Sequence, residues 1–308
     1  MNIIDIHKTF KSDDQCTEYL AKLRWPDGVR CLTCGTDKVK QYSSPTKKQP
    51  SRKVYECQEP TCKQQFTATS GTIFHDTHLP LTKWFLALSI LVDAKKSVSA
   101  KQLQRHLGTG YKTAWYLAHR IRKAMEESDR PLLGGIVEMD ETYVGGRTKS
   151  WQRYKNKDVV VGMRQRGGQL HLVHAPDSTA FTLKEIAEGH ISPDVEALMT
   201  DELPAYKTSL EKFSGKHKQI RHKDKVYVLA GNIHTNTIES AFSLFKRGIV
   251  GSFHRVSIKH LQRYLNEFQF RFNRRDNANR FEETLSRMAR VKPMPFAELT
   301  QPVPAKSV

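Results

Sequence analysis

The sequence predicts an α/β protein, a mixed sheet flanked by helices, preceded by a small cysteine-bearing ribbon and a helical segment. Three observations predict it. From Leu133 onward, short runs rich in β-branched residues ("IVEMD", "VVVGMRQ", "QLHLVHA", "VEALMTD", "KVYVLAG") alternate with Gly, Pro and charged turns, and two long helical patterns follow from about Ile238 to Arg275. Two close cysteine pairs lie before residue 70, and helical periodicity runs from Leu81 to about Ser128. At 308 residues the chain can hold one large domain or two to three smaller ones. The expected division is an N-terminal helix and ribbon over 1–75, a helical segment over 76–130, the mixed domain over 131–290 and a tail over 291–308.

Composition narrows the partners. Fifty Lys+Arg against 32 Asp+Glu give a net charge of +18, a field suited to a polyanion, either nucleic acid or an anionic membrane surface. The membrane option weakens because the most apolar stretch, Trp84 to Val92, is about half of the roughly 20 apolar residues a spanning helix needs. It reads as a buried core helix. The opening "MNIIDIHKTFKSDDQ" has no basic region followed by an apolar run, so a reducing cytoplasm is the expected setting. No internal repeat stands out, and low complexity is confined to "SSPTKKQPSRK".

Taken in order, "CTEYLAKLRW" reads as a short amphipathic helix ending at Trp25, with Cys16 on its apolar side and therefore in the core. The other four cysteines form Cys31-x2-Cys34 and Cys57-x4-Cys62. Each short spacing lets a turn aim two thiolates at one ion, and two such pairs joined by a long loop suit tetrahedral Zn²⁺. The second pair is wider than the usual two-residue spacing. Around it, Arg30, Lys38, Lys40, Lys47, Lys48, Arg52 and Lys53 suit phosphate contacts, or equally a solvated loop.

Within "SVSAKQLQRHLGTGYKTAWYLAHRIRKAM", Ser99 and Gln102 fit a helix cap, and Gly108-Thr109-Gly110 form a turn between two helical patterns. The second helix would bury Ala114, Leu117, Ala118 and Ile121. Lys112, Thr113, Tyr116, Arg120 and Lys123 would then point outward, a set suited to phosphates and base edges. A plain helical hairpin with a solvated basic face fits the same residues.

The carboxylates are placed at costly positions. In "IVEMDETYVGG", strand alternation puts Ile136, Glu138 and Asp140 on one face, with Val137 and Met139 on the other. Acid at the end of a central strand needs a compensating cation or hydrogen bonds, and a divalent ion such as Mg²⁺ is the natural one. Asp201 ends a second apolar run. On the helical pattern of "NTIESAFSLFKRG", Ile238, Ala241, Phe242, Phe245 and Ile249 form one apolar stripe, with Glu239, Ser243 and Lys246 along its flank. Asn236 and Glu239 also fit a helix cap and its partner three residues on. Two acids at strand ends and one on a later helix are what a two-metal phosphoryl-transfer site requires.

The cysteine ribbon, the helix pair, "MDETYVGG", "TDELPAY", "HTNTIESAFSLFKRG" and "HLQRYLNEFQFRFNRR" together resemble the DDE transposases of bacterial insertion sequences. The group is the one with an N-terminal zinc ribbon, insertion-sequence family fifteen-ninety-five. The resemblance spans roughly residues 10 to 290. It implies an RNase H-like catalytic domain that cuts the ends of its own element and joins them to target DNA, using Mg²⁺ or Mn²⁺, in the bacterial cytoplasm on the nucleoid. Carried over by motif, Asp140 and Asp201 are the first two acids and Lys246 the basic residue after the third. Many members carry Asn at the third position, so Asn236 and Glu239 compete for it. Glu239 is preferred because a carboxylate neutralises metal better than an amide, and Asn236 stands in reserve.

The family's Glu followed by two arginines matches Glu267, Arg271 and Arg274, read as a DNA-orienting basic surface held by Glu267, or alternatively as an intrahelical ion pair. From Ser240 to Arg275 eight basic residues face one acid, which predicts strongly salt-dependent binding. The segment from Thr142 to Asn156, with Arg147, Lys149, Arg153 and Lys155, reads as a DNA-contacting loop. The expectation is a transposase that binds double-stranded DNA, its terminal inverted repeats and its target, and self-associates on paired ends. The alternatives are a non-catalytic DNA-binding regulator derived from such an element and a nuclease of the same fold that cuts without joining.

Overall fold

The computed structural model describes residues 1–46, 50–145, 157–220 and 234–301. Lys47, Lys48, the run "KVYVLAG" and the basic residues Arg147, Lys149, Arg153 and Lys155 lie outside the described residues. The chain divides into two compact units. The first comprises 1–94, 98–125 and 277–308, and the second 95–97 and 126–276.

The first unit opens with helices α1 (Ile3–Thr9) and α2 (Asp13–Arg24). Both begin with a reciprocal capping box, Asn2 with Asp5 and Ser12 with Gln15, which satisfies the donors that a helix start leaves open. Cys16 is fully buried on α2. Strands β1 (Val39–Ser43), β2 (Lys53–Cys57) and β3 (Gln65–Phe66) form an antiparallel three-stranded ribbon among the described residues. Helix α3 (Leu81–Asp93) contains the apolar run and buries Trp84, Phe85, Leu88 and Leu91, so it is a core helix. No helix among the described residues is long and apolar enough to cross a membrane.

Helices α4 (Ala100–Leu107) and α5 (Tyr111–Ala124) follow. Ser99 caps α4 by accepting from the Gln102 backbone N–H, and Gly108 ends it at φ 58°, a left-handed conformation that costs glycine little. Ala114, Leu117, Ala118 and Ile121 of α5 are buried as the periodicity requires.

The second unit is built on a mixed sheet with five strands among the described residues, β4 (Ile136–Val144), β5 (Asp158–Gln165), β6 (Leu170–Ala175), β7 (Ala197–Thr200) and β8 (His217–Gln219). Its order is β6-β5-β4-β7-β8, with β4, β5 and β6 antiparallel in succession and β7 and β8 parallel to β4. Helices α6 (Ala180–His190) and α7 (Ala205–Ser209) cover one face, where Val137, Met139, Val161 and Met163 meet Leu183 and Tyr206. On the other face Val160, Leu170 and Leu172 pack against α8 (Asn236–Gly248) and α9 (Leu261–Asn273) through Ile238, Phe242, Phe245 and Leu265. Sheet alternation thus feeds two separate apolar layers.

Helix α9 also closes the edge of β6. Asn273, Gln269 and Gln262 accept from the backbone N–H groups of Leu170, Leu172 and His174 at 2.8, 2.9 and 2.8 Å. Side-chain amides here take the place of a further strand and blunt an edge that would otherwise pair with another chain. Beyond α9 the chain returns to the first unit as α10 (Arg280–Met288) and α11 (Phe296–Thr300). Phe281 of α10 packs its ring 6.0 Å from Phe85, and Arg280 pairs with Asp93 at 2.7 Å.

Candidate functional site

Two groups of side chains among the described residues are dense enough to hold a metal ion. The first is the cysteine set of the ribbon. The sulfur atoms of Cys31, Cys34, Cys57 and Cys62 lie within 4.8 Å of one another, with Cys31–Cys62 and Cys34–Cys57 both at 3.6 Å. The wide second pair works because the backbone N–H of Cys62 turns back onto the Glu59 carbonyl at 3.0 Å. The backbone N–H of Cys34, helped by that of Thr33, pulls the Cys31 thiol down to about 6, toward a thiolate, whereas burial pushes Cys57 up to about 12 and Cys62 is raised too, so those sulfurs would lose their protons only to a metal. Tetrahedral sulfur suits Zn²⁺.

The second group is Asp140, Glu141 and Asp201, whose carboxylate oxygens also lie within 4.8 Å of one another. Strand register accounts for it. β4 runs parallel to β7 with Glu138 opposite Met199, so two residues further on Asp140 comes level with Asp201, just past the end of β7. Glu141 points by alternation to the other face, where the Tyr206 hydroxyl donates to its Oε2 at 2.8 Å. Burial, then the Glu141 and Asp201 carboxylates, push Asp140 up to about 8, against the Glu141 backbone N–H that donates to its Oδ1 at 2.8 Å. Burial, followed by Asp201, raises Glu141 as well. Three partly buried acids that disfavour one another's charge are a set that a divalent cation would relieve.

Helix α8 forms the opposite wall. Asp140, Glu141 and Thr142 line an open cleft with Glu239, Phe242, Ser243, Lys246, Arg247 and Val250. The flank of Glu239, Ser243 and Lys246 expected from helical spacing therefore faces the carboxylates. Glu239 raises the Asp140 carboxyl, as a nearby negative charge must, but falls outside the tighter group of three. Asn236 is the exposed first residue of α8, one position past the cap. The cap position belongs to Thr235, whose hydroxyl donates to Glu239 Oε1 at 2.8 Å.

What satisfies the start of α8 is Glu138. Its Oε2 accepts from the backbone N–H groups of Thr237 and Ile238 at 2.9 and 3.0 Å, and Arg166 Nε donates to Oε1 at 2.7 Å. The side chain is fully buried. The acid expected to need a divalent ion is compensated instead by a guanidinium and a helix N-terminus.

Sequence reasoning missed Glu141 and Tyr206. Alternation alone assigns Glu141 to the face away from Asp140, and the tyrosine gave no signal beyond its place in "TDELPAY".

Other expected site residues sit differently. Lys112 and Thr113 are exposed on α5, Tyr116 and Lys123 are half-buried, and the Tyr116 hydroxyl donates to the Met294 carbonyl. Arg120 does not point outward. It is 6% exposed, donates to the carbonyls of Ile73 and His75, and lies over the rings of Trp84 and Tyr116. Helical spacing placed it on the flank, but the loop before α3 covers that flank.

Glu267 is buried and pairs with Arg271, 8% exposed, at 3.2 Å, and the Ser97 hydroxyl donates to the same carboxylate. Arg274 lies one residue past the end of α9. Its guanidinium stacks over Phe270 and pairs with Glu127 at 2.6 Å. Both arginines are thus held by carboxylates and do not form the open basic surface that their spacing suggests.

Comparison with known proteins agrees with this layout. The model of the ISXO2-like transposase domain matches residues 132–273, and that of the transposase zinc-ribbon domain matches residues 11–65. A protein of Halobacterium salinarum described as an uncharacterized protein in transposable element ISH50 is 30% identical over 283 residues, 86% of this chain and 92% of that protein. No solved structure matches the chain. With a cysteine set fit for metal in one matched segment and a carboxylate cleft in the other, the chain belongs to the ISXO2-like transposases of insertion-sequence family fifteen-ninety-five.

Proposed function

We propose that the chain is a DDE-type transposase that binds the terminal inverted repeats of its element, cleaves DNA there and joins the freed ends to target DNA. The single observation that carries the reading is the convergence of Asp140, Glu141 and Asp201 opposite a helix wall bearing Glu239 and Lys246. The sheet order, three antiparallel strands followed by two parallel to the first, supports an RNase H-like assignment for the second unit.

In this reading Asp140 and Asp201 hold Mg²⁺ or Mn²⁺, with Glu239 as the third ligand and Asn236 in reserve. Bound divalent ions would activate the attacking oxygen and stabilise the leaving one. Lys246 and Arg247 offer cations to the DNA phosphates along the cleft. Glu141, held by Tyr206, adds negative charge beside the two aspartates and so strengthens the site's preference for cations. Water is the first nucleophile and the freed 3′-hydroxyl the second, so no serine or tyrosine nucleophile is assigned.

In the first unit, Cys31, Cys34, Cys57 and Cys62 hold a structural Zn²⁺, and α4 and α5 form a helix-turn-helix-like element that offers Lys112 and Thr113 to DNA. Joining at two ends implies self-association on the paired DNA.

The test is strand cleavage and joining on linear DNA carrying the gene's own flanks, with Mg²⁺ or Mn²⁺, for the unaltered protein and for Asp140→Ala, Asp201→Ala, Glu239→Ala and Asn236→Ala. Metal-dependent joining lost in both aspartate variants is the expected result, and the other two variants identify the third ligand. Tight, salt-sensitive binding without cleavage on intact flanks would replace the enzyme with a DNA-binding regulator.

A further inference from the structure

Glu138 is a buried acid that the proposed chemistry does not use, although it lies two residues before Asp140 on the same face of β4. Hydrogen bonds lead from it to α8, directly or through Arg166. One oxygen takes the Thr237 and Ile238 N–H groups at 2.9 and 3.0 Å. The other takes Arg166 Nε at 2.7 Å and lies 3.2 Å from His234 Nδ1. Arg166 reaches further, donating through its terminal nitrogen to the His234 carbonyl at 2.9 Å, on the approach to the helix. The start of α8 is therefore gripped twice, once by Glu138 directly and once through Arg166. Glu239 is the next residue after Ile238.

A second observation, independent of these hydrogen bonds, concerns how α8 lies on the sheet. Gly162 pairs with Asp140 across the β4–β5 ladder, and the Ile238 and Phe242 side chains occupy the space a side chain at 162 would need. Hydrogen bonds thus fix α8 at its N-terminus and packing fixes it one turn later. Both contacts refer the helix to residues beside or opposite Asp140.

From these contacts we infer that Glu138, with Arg166, is a positioning residue for metal-dependent cleavage. It sets the register of α8 on β4 and so the separation of Glu239 from Asp140. The inference rests on the transposase reading above. A metal site whose ligands come from two elements depends on the groups that orient those elements, and loss of such a group typically costs about ten- to a hundred-fold in metal affinity or activity. A merely structural pair would lower stability and leave the folded protein's metal site as it was.

The experiment compares unaltered protein, Glu138→Gln, Arg166→Gln and the double variant, at a temperature where circular dichroism shows each folded. Mn²⁺ binding is measured without DNA from the electron paramagnetic resonance of the free ion, and cleavage on the flank DNA in parallel. In Glu138→Gln the amide nitrogen meets the Arg166 donor. In the double variant the two amides can pair while the helix N–H groups keep an acceptor. We expect each single variant to lose about ten-fold or more in Mn²⁺ affinity and in cleavage, and the double variant to recover the share that belongs to the 138–166 contact while that of the lost Arg166–His234 contact stays missing. Folded single variants that bind Mn²⁺ and cleave within two-fold of the unaltered protein would overturn the inference and leave the transposase reading standing. An unaltered protein that neither binds Mn²⁺ nor cleaves would remove both.

Discussion

Asp140 stands directly opposite Gly162 in the β4–β5 ladder, and at Gly162 helix α8 lies so close that a methyl group would come within 2.6 Å of the Phe242 ring and 2.8 Å of Ile238 Cδ1. Neither approach is tolerable without movement. Gly162→Ala should therefore push α8 off the sheet and cost about 1–3 kcal/mol, the usual range for overpacking. Because Glu239 rides on that helix, cleavage measured well below the melting temperature should fall by more than the loss of folded protein explains. A variant that melts lower yet cleaves normally when folded would show that the seat matters for stability alone.

The ribbon makes a different demand. Apart from Tyr55, Cys57, Phe66 and Cys31, few residues form its own buried cluster, so its fold should depend on the metal. Metal analysis should return about one zinc per chain, since four sulfur ligands complete a tetrahedral structural site. Cys57→Ser should lower that content and weaken binding to the element's ends. Mn²⁺ binding at the carboxylates of the second unit should be unchanged. Full zinc content in Cys57→Ser would rule this ligand set out.

These two sites differ in how far the sequence reveals them. The cysteine pairs are local, so spacing alone discloses the metal geometry. Asp140 and Asp201 were legible because each follows apolar strand residues, but the expected strand end holds only for Asp201, just past β7, since β4 continues to Val144 and leaves Asp140 in mid-strand opposite Gly162. Glu141 was not legible. Its closeness to Asp201 depends on where β7 stops and on Tyr206, neither of which a period of two can express. Arg120 and Arg274 were misjudged for a related reason. A helical wheel assigns a flank, but only tertiary packing shows that the Ile73–His75 loop and Glu127 already occupy it. The Glu267–Arg271 pair, by contrast, is the intrahelical alternative that the four-residue spacing already offered. The amides on α9 that close the β6 edge lay equally beyond a reading of one element at a time.

Behind the sheet, His171 on β6 and His190 at the end of α6 touch through their Nδ1 atoms at 3.3 Å. Burial, then the neighbouring imidazole and Arg130, holds His171 down to about 3, and burial with Arg130 also lowers His190. His171 is neutral in the folded chain at pH 6, whereas the unfolded chain takes up protons near pH 6.5. The unfolded state then binds more protons, so stability contributed by the pair is complete above about pH 6.5 and falls as pH drops toward about 3. His171 contributes up to about 1.4 kcal/mol per pH unit in that window, and the lowered His190 acts in the same direction. Urea melts at pH 7.5 and 5.0 should show the loss, and His171→Leu should flatten it. An unchanged pH slope in His171→Leu would place the acid sensitivity elsewhere.

On α5, Lys112 and Arg120 bear the same charge and should give opposite phenotypes. Lys112 is exposed. If it meets a phosphate, Lys112→Ala should weaken DNA binding about equally for all sequences and reduce the slope of log affinity against log salt by about one, with an unchanged melting temperature. Arg120 donates to two backbone carbonyls inside the first unit and stacks on Trp84. Its removal strands those carbonyls and empties the stack, so Arg120→Ala should cost about 1–3 kcal/mol of stability. The salt slope of the protein that remains folded should stay as it was. Filter binding over a series of salt concentrations, paired with thermal melts, separates the two. A reduced salt slope in Arg120→Ala would mean that this guanidinium leaves its buried partners to meet DNA.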